Sequence, residues 1–284
     1  MDVLLNTALE AAEAAAEIHL RHFGRVGLDE AVEKGHSDFV SQVDLESQEA
    51  ALDVILRRHP DHHVLAEEEL EGDGGNPSSR DWPEGGGYLW IVDPLDGTTN
   101  FLHSHPQFGA SVAVGRRVLD RNLPPEVGKG VALEAGAVVA ARTGERWWAQ
   151  KGQGAFKNGI PISVSKQKSM RTALIGTGFP FKKPELVPRY MAQFQRILPS
   201  SGGIRRAGSA ALDLCYLAEG ILDGFWEEDY LSPWDVAAGL VILSEAGGVA
   251  TRLDGSGITL RNGSILAANS PELLGDLGSL AAGP

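Results

Sequence analysis

The chain has 284 residues, 43% of them hydrophobic, which is enough for one large α/β domain or two small ones and excludes disorder. Its 35 glycines follow no three-residue period, which excludes a collagen-like architecture. Lys and Arg number 25 against 38 for Asp and Glu, a net charge of -13 with no basic block, so binding to a nucleic-acid backbone is not expected.

Residues 3–22 place Leu4, Ala8, Ala11, Ala15 and Ile18 at helical spacing, and Gly24 stands where a helix would stop. The first twenty residues hold no Lys or Arg but include Asp2, Glu10, Glu13 and Glu17, unlike a signal peptide. A second helix is expected over 45–58, with Asp44 as its cap and Pro60 beyond it. Six β-like runs follow, at 63–66, 88–92, 108–114, 131–134, 137–141 and 146–149, with a Gly/Pro/Ser-rich loop expected over 72–87. After runs at 162–164 and 173–177, helix and strand alternate: 184–198, 204–206, 210–219, 222–226, 236–246, 249–252 and 265–268, then a C-terminal helix. This rhythm predicts an α/β protein of two layered subdomains, 1–180 and 181–284. The lone Cys215 can form no intramolecular disulfide or thiolate metal site and fits a reducing, cytoplasmic setting. No run of eighteen apolar residues occurs, so neither a membrane span nor a membrane partner is expected.

The chemistry concentrates at Trp90-Ile91-Val92-Asp93-Pro94-Leu95-Asp96-Gly97-Thr98-Thr99-Asn100-Phe101. An apolar strand ends in two carboxylates three residues apart, stiffened by a proline and followed by a glycine and two hydroxyls that can open a helix. Hard cations such as Mg²⁺ take oxygen ligands, and a carboxylate bridging two of them needs a second carboxylate close by on a rigid turn. The N–H groups of Gly97 and Thr98 would face an anion as helix N-termini do. Asp and Pro also form ordinary turns, but several such features coincide here. Elsewhere, Glu67-Glu68-Glu69 closes a strand and by itself reads as a solvated face. Asp235 precedes an apolar run and by position reads as a helix cap, which does not exclude ligation. Lys34, Asp38 and Asp44 add a cation and two carboxylates, and Arg206-Ala207-Gly208-Ser209-Ala210-Ala211 offers a glycine and a hydroxyl opening a helix. His62, His63, His103 and His105 lack metal-ligand spacing and read as packed or solvated.

Other segments belong with these: Gly154-Ala155-Phe156-Lys157-Asn158-Gly159, Leu222-Asp223-Gly224-Phe225-Trp226-Glu227, Trp234-Asp235-Val236-Ala237-Ala238-Gly239 and Glu245-Ala246-Gly247-Gly248. In content and order, over almost the whole chain, the set resembles the inositol monophosphatase family. That family lies within the lithium-sensitive, magnesium-dependent phosphatases that also include fructose bisphosphatases and phosphoadenosine phosphatases. The resemblance implies a layered α/β/α/β/α sandwich of the inositol monophosphatase/fructose bisphosphatase type, with homodimer formation. It implies two Mg²⁺ ions, and a third in some members through Glu67: Glu67, Asp93 and the Leu95 carbonyl on one, Asp93, Asp96 and Asp235 on the other. Thr98, backed by Asp44, would orient the attacking water, and Lys34 and Asp38 would stand beside this shell. A small phosphate monoester would meet Asp96, Gly97 and Thr98, the backbone at Gly208, Ser209 and Ala210, and a glutamate after Trp226. That glutamate usually stands seven residues before the second-metal aspartate; Glu228 does, Glu227 stands eight before Asp235, and either fits. The Tyr-Asp-Pro usual near 130–136 is replaced by Leu133-Glu134-Ala135. The expected reaction is hydrolysis of inositol monophosphate or a similar small polyol or sugar phosphate by metal-activated water. Histidinol phosphate, a sugar bisphosphate or phosphoadenosine phosphate are the alternative substrates, and a non-catalytic regulatory protein is the alternative class.

Overall fold

The computed structural model of the chain describes residues 2–35, 38–68, 87–119, 129–258, 260 and 263–283. Its elements begin with helix α1 (Val3–His22), a hairpin of β1 (Val32–Gly35) and β2 (Asp38–Val40), helix α2 (Gln42–Arg58) and strand β3 (His63–Ala66). Next come β4 (Tyr88–Asp96), the short helix α3 (Thr98–Leu102), β5 (Gly109–Leu119), β6 (Lys129–Ala140), β7 (Glu145–Gln150), β8 (Ala155–Lys157) and β9 (Ile160–Ile162). The remainder is β10 (Leu174–Thr177), α4 (Val187–Ile197), β11 (Gly203–Arg205), α5 (Ala210–Ala218), β12 (Gly224–Leu231), α6 (Pro233–Glu245), β13 (Val249–Thr251), β14 (Gly263–Ala268) and α7 (Pro271–Ala282). The loop expected over 72–87 lies outside the described residues except for Gly87, as do Glu69 and the side chains of Lys34 and Asp38.

Strands β3 to β9 form a seven-stranded sheet in chain order, antiparallel except for the β3–β4 pair. The other sheet runs β11-β10-β12-β14-β13, with β11, β10 and β12 parallel. Helices cover both faces of each sheet, so strand residues are apolar on both sides and β4 reads as a continuous greasy run. Parity still sorts them. Leu89 and Ile91 point to a core shared with α5 and α6. Trp90 and Val92 point the other way, to α1 and α2. In β12, Phe225 faces α5 and α6, whereas Trp226 packs with Tyr190 of α4 and Leu277 of α7. The result is five layers: α1 and α2, the large sheet, α5 and α6, the small sheet, α4 and α7. This is the α/β/α/β/α sandwich that the family resemblance implies.

Helix α2 starts at Gln42, not at 45, because Ser41 is its cap; Asp44 is the third helical residue and completes a capping box from inside. Asp235 likewise stands third in α6, behind the cap Ser232. The runs expected at 131–134 and 137–141 are one strand, β6, with a bulge at Glu134 where the register with β5 shifts between Val114 and Gly115. The hairpin β1–β2 and strand β8 are too short to show any alternation in sequence.

Candidate active site

Strand β4 delivers Asp93 and Asp96 to the edge of the central helical layer, where α5 and α6 begin. Asp93, Asp96 and Asp235 offer oxygen atoms that all lie within 4.8 Å of one another. Each is held from behind. Asp93 Oδ1 accepts from Leu95 N at 3.0 Å, closing the turn on itself. Asp96 Oδ2 accepts from Ser209 Oγ at 2.6 Å and Ala211 N at 2.7 Å, which ties β4 to the first turn of α5. Asp235 Oδ2 accepts from Ser232 N at 2.6 Å. Glu67 follows β3 beside Asp93 and is fixed through its N–H, which donates to Val92 O at 3.1 Å. Its neighbour Glu68 is bracketed by Gln48, with 2.9 Å from Glu68 N to Oε1 and 2.7 Å from Nε2 to Glu68 O.

Crowding these carboxylates is costly. Burial and the charges of Glu67, Asp96 and Asp235 raise the Asp93 pKa well above the carboxylate range. Burial and the Asp235 charge lift Asp96 to about 7 despite its donors Ser209 and Ala211. Such a cluster is stable only when protons or cations cancel its charge, and its donor set is oxygen alone. That chemistry fits a hard divalent cation such as Mg²⁺.

Beside the cluster, Thr98 opens α3 after Gly97, whose φ of +95° is the left-handed conformation that makes this turn. Thr98 Oγ1 lies 2.9 Å from Asp44 Oδ1 and 3.1 Å from Leu95 O. Asp44 is wholly buried, and its Oδ2 accepts from Ser41 N at 2.8 Å and Ser41 Oγ at 2.6 Å. One carboxylate therefore serves both a helix box and the Thr98 hydroxyl. Asn100 donates to Gln107 O at 2.7 Å and Ala207 O at 2.9 Å, joining α3 to the loop before α5.

On the opposite wall Glu227 is 4% exposed and accepts from Tyr230 Oη at 2.5 Å. Burial pushes its pKa up to about 8, and the Asp235 and Asp96 charges add to this while Arg206 opposes it. A Cβ at Gly178 would collide with the Glu227 carboxyl, so glycine there makes the room. Glu228 does not join this group. Alternation along β12 sends it to the other face, where Gln193 Nε2 donates to it at 2.5 Å and Arg189 Nε lies at 3.2 Å. The structure thus brings Glu67, Asp93, Leu95, Asp96, Asp235, Asp44, Gly97, Thr98, Gly208, Ser209, Ala210 and Glu227 around one site, and takes Glu228 away from it.

The sequence profile of the inositol monophosphatase family matches residues 1–281. The chain belongs to that family. Among curated relatives it is similar to Nus factor SuhB of Pseudomonas aeruginosa, 38% identical over 274 residues, covering 95% of this chain and 93% of that protein. It is similar also to the inositol-1-monophosphatase of Rhizobium meliloti, 39% identical over 267 residues, with 94% and 91% of the two chains covered. The crystal structure of the extragenic suppressor protein suhB from Bartonella henselae superposes with a TM-score of 0.83 at 31% identity, covering 99% of this chain and 98% of that one.

Sequence reasoning missed several residues that pack around this cluster. His19 donates from Nε2 to Pro94 O at 2.8 Å and so holds the turn between the two aspartates. Its place three, four and seven residues after Ala16, Ala15 and Ala12 marks it as inward-facing. Tyr230 could not have been found this way, because the register shift between Glu227 and Leu231 is what turns both side chains to one side. Asp213, buried in α5, was invisible among apolar neighbours. His62 accepts from Trp90 Nε1 at 3.0 Å and stacks on His59, a packed histidine as expected.

Proposed function

We propose that the protein is a Mg²⁺-dependent phosphomonoesterase that hydrolyses inositol monophosphate or a similar small polyol or sugar phosphate. The convergence of Asp93, Asp96 and Asp235 within 4.8 Å, beside the Thr98–Asp44 pair, carries this reading. Mg²⁺ held by these aspartates, with Glu67 and the Leu95 carbonyl, would neutralise phosphoryl oxygens and lower the pKa of water. The chain's own groups supply the positioning. Thr98 donates to Asp44, so the lone pairs of Oγ1 stay free to accept from a water and align it with phosphorus. Asp44 keeps that hydroxyl in one rotamer because three donors fix both of its oxygens. N–H groups at Gly97 and Thr98 face the phosphoryl oxygens. Glu227 Oε2 is engaged by Tyr230, leaving Oε1 as the acceptor for a ring hydroxyl. No covalent enzyme intermediate is required.

Phosphate release from a panel including inositol 1-phosphate and histidinol phosphate, with Mg²⁺ and with EDTA, tests the proposal. Release that needs Mg²⁺ and disappears in Asp93→Asn supports it, whereas release undiminished by that change refutes the site. A second reading rests on the name of the Pseudomonas aeruginosa relative, that the chain serves as a Nus factor. Absence of release from every monoester would favour it.

A further inference from the structure

The Glu227 carboxyl is flanked on two sides. Bare backbone closes one flank, because a Cβ at Gly178 would collide with it. On the other flank Tyr230 Oη donates to Oε2 at 2.5 Å. Tyr230 stands three residues after Glu227, so in an unbroken strand the two would face opposite sides of the sheet. They share a side because the ladder slips between them. Glu227 pairs with Ile265 and Leu231 with Gly263, four steps along β12 against two along β14. The surplus residues bulge, and a bulge re-aims side chains.

This bulge is tied down along its length. Lys183 Nζ donates to Asp229 O at 2.9 Å, and Arg252 Nη2 donates to Asp229 Oδ1 at 3.1 Å. Glu228 is pinned on the far face by Gln193 and Arg189, and Leu231 is buried in the core. The half-buried Tyr230 ring packs on the core that holds α5 and α6. With its neighbours fixed and its ring seated, the phenol has one direction. Burial and the Glu227 charge raise its pKa, so it stays protonated and serves as the donor of the pair.

Such a donor restricts a carboxylate twice. It occupies Oε2, and it stops rotation about the terminal torsion, which is broad in a free glutamate. We infer that Tyr230 is a positioning residue that holds the Glu227 carboxyl with Oε1 toward a substrate hydroxyl, so that the pair selects phosphate esters of polyols over those of plain alcohols. This rests on the phosphomonoesterase reading above and assigns the selectivity within it. Tyr230 acts through Glu227 and does not itself touch the substrate.

Two esters on a cyclohexane ring test this in Mg²⁺: inositol 1-phosphate, and cyclohexyl phosphate, which keeps the ring and the phosphate but lacks every hydroxyl. Values of kcat and KM are measured for wild type, Tyr230→Phe, Glu227→Ala and the double variant. Wild type should favour inositol 1-phosphate in kcat/KM by about tenfold or more, the worth of a charge-assisted hydrogen bond. Tyr230→Phe deletes one oxygen and keeps the ring. It should lower that preference about fivefold, with the loss in KM for inositol 1-phosphate and not in kcat. In the Glu227→Ala background the same change should move the preference less than about twofold, because the hydroxyl acts only through the carboxyl. A ratio between substrates is not imitated by a general loss of stability. An unchanged preference in Tyr230→Phe, or a parallel fall on both esters, overturns the inference and leaves Tyr230 as a brace of the bulge. So does a full effect in the Glu227→Ala background, since Tyr230 would then meet the substrate directly. Equal rates on the two esters in wild type overturn it as well. Failure to release phosphate from any monoester, inositol 1-phosphate included, overturns the underlying phosphatase reading instead.

Discussion

His19 offers the sharpest test of how the fold supports the aspartate turn. The ring is fully buried against Phe101 and Phe108, with centres 6.2 and 5.7 Å away. Pro94 O can only accept, so Nε2 carries the hydrogen, and Nδ1 has no partner among the described residues. A second proton would have to enter an apolar wall, and burial lowers the pKa from 6.5 to about 4. Between these values the folded protein holds fewer protons than the unfolded chain. Stability is therefore intact above pH 6.5 and is lost as pH falls toward 4. Integrated from pH 7.5 to 4.5, the loss is about 2.5 kcal/mol. For 284 residues the melting entropy converts this into about 4 °C of Tm. Other groups also titrate in that range, so the measurement is a difference: the acid-induced drop in Tm of the wild type minus that of His19→Gln, followed by calorimetry. The wild type should lose about 4 °C more than the variant. Equal drops would refute the claim that a buried neutral imidazole braces Pro94.

The aspartate cluster has the opposite sign. With Asp93 raised and Asp96 at about 7, the folded state holds the extra protons, so Tm in EDTA should fall as pH rises from 5 to 8, and Mg²⁺ should reverse more of the fall at pH 8 than at pH 5. Thr98→Ala should lower kcat by about a hundredfold while moving KM less than about threefold, since it misplaces a water and not the substrate; a pure KM effect in steady-state assays would contradict the role. Glu227→Gln should raise KM about tenfold. Glu228→Gln, which alters only the pairing with Gln193 and Arg189, should lower Tm with KM unchanged, and the reverse pattern would exchange the two residues' roles. Gly178→Ala forces the Glu227 carboxyl aside and should raise KM and cost about 1–3 kcal/mol by denaturant unfolding.

Local pattern carried much of this protein. Alanine spacing defines α1, the apolar run of β4 ends at Asp93 and Asp96, and alternation of helix and strand after 173 marks the small sheet. These are legible because period and turn chemistry are properties of neighbouring residues. The family motifs likewise name Asp93, Asp96, Asp235 and Thr98 without coordinates. What sequence left open was decided by pairings between distant segments. Asp44 and Asp235 read as caps by position, yet Ser41 and Ser232 take that place and turn the acids inward from the third helical residue. Glu227 and Glu228 are adjacent in sequence, and only the placement of α4 and α5 on opposite faces of the small sheet separates a site carboxyl from a structural one. Tyr230 reaches Glu227 through a slipped register, and His19 meets Pro94 across 75 positions. Sequence determined which residues carry charge and which segments become helix or strand, because those depend on local chemistry. Tertiary structure decided which of the charges share a site, because that depends on how the layers stack.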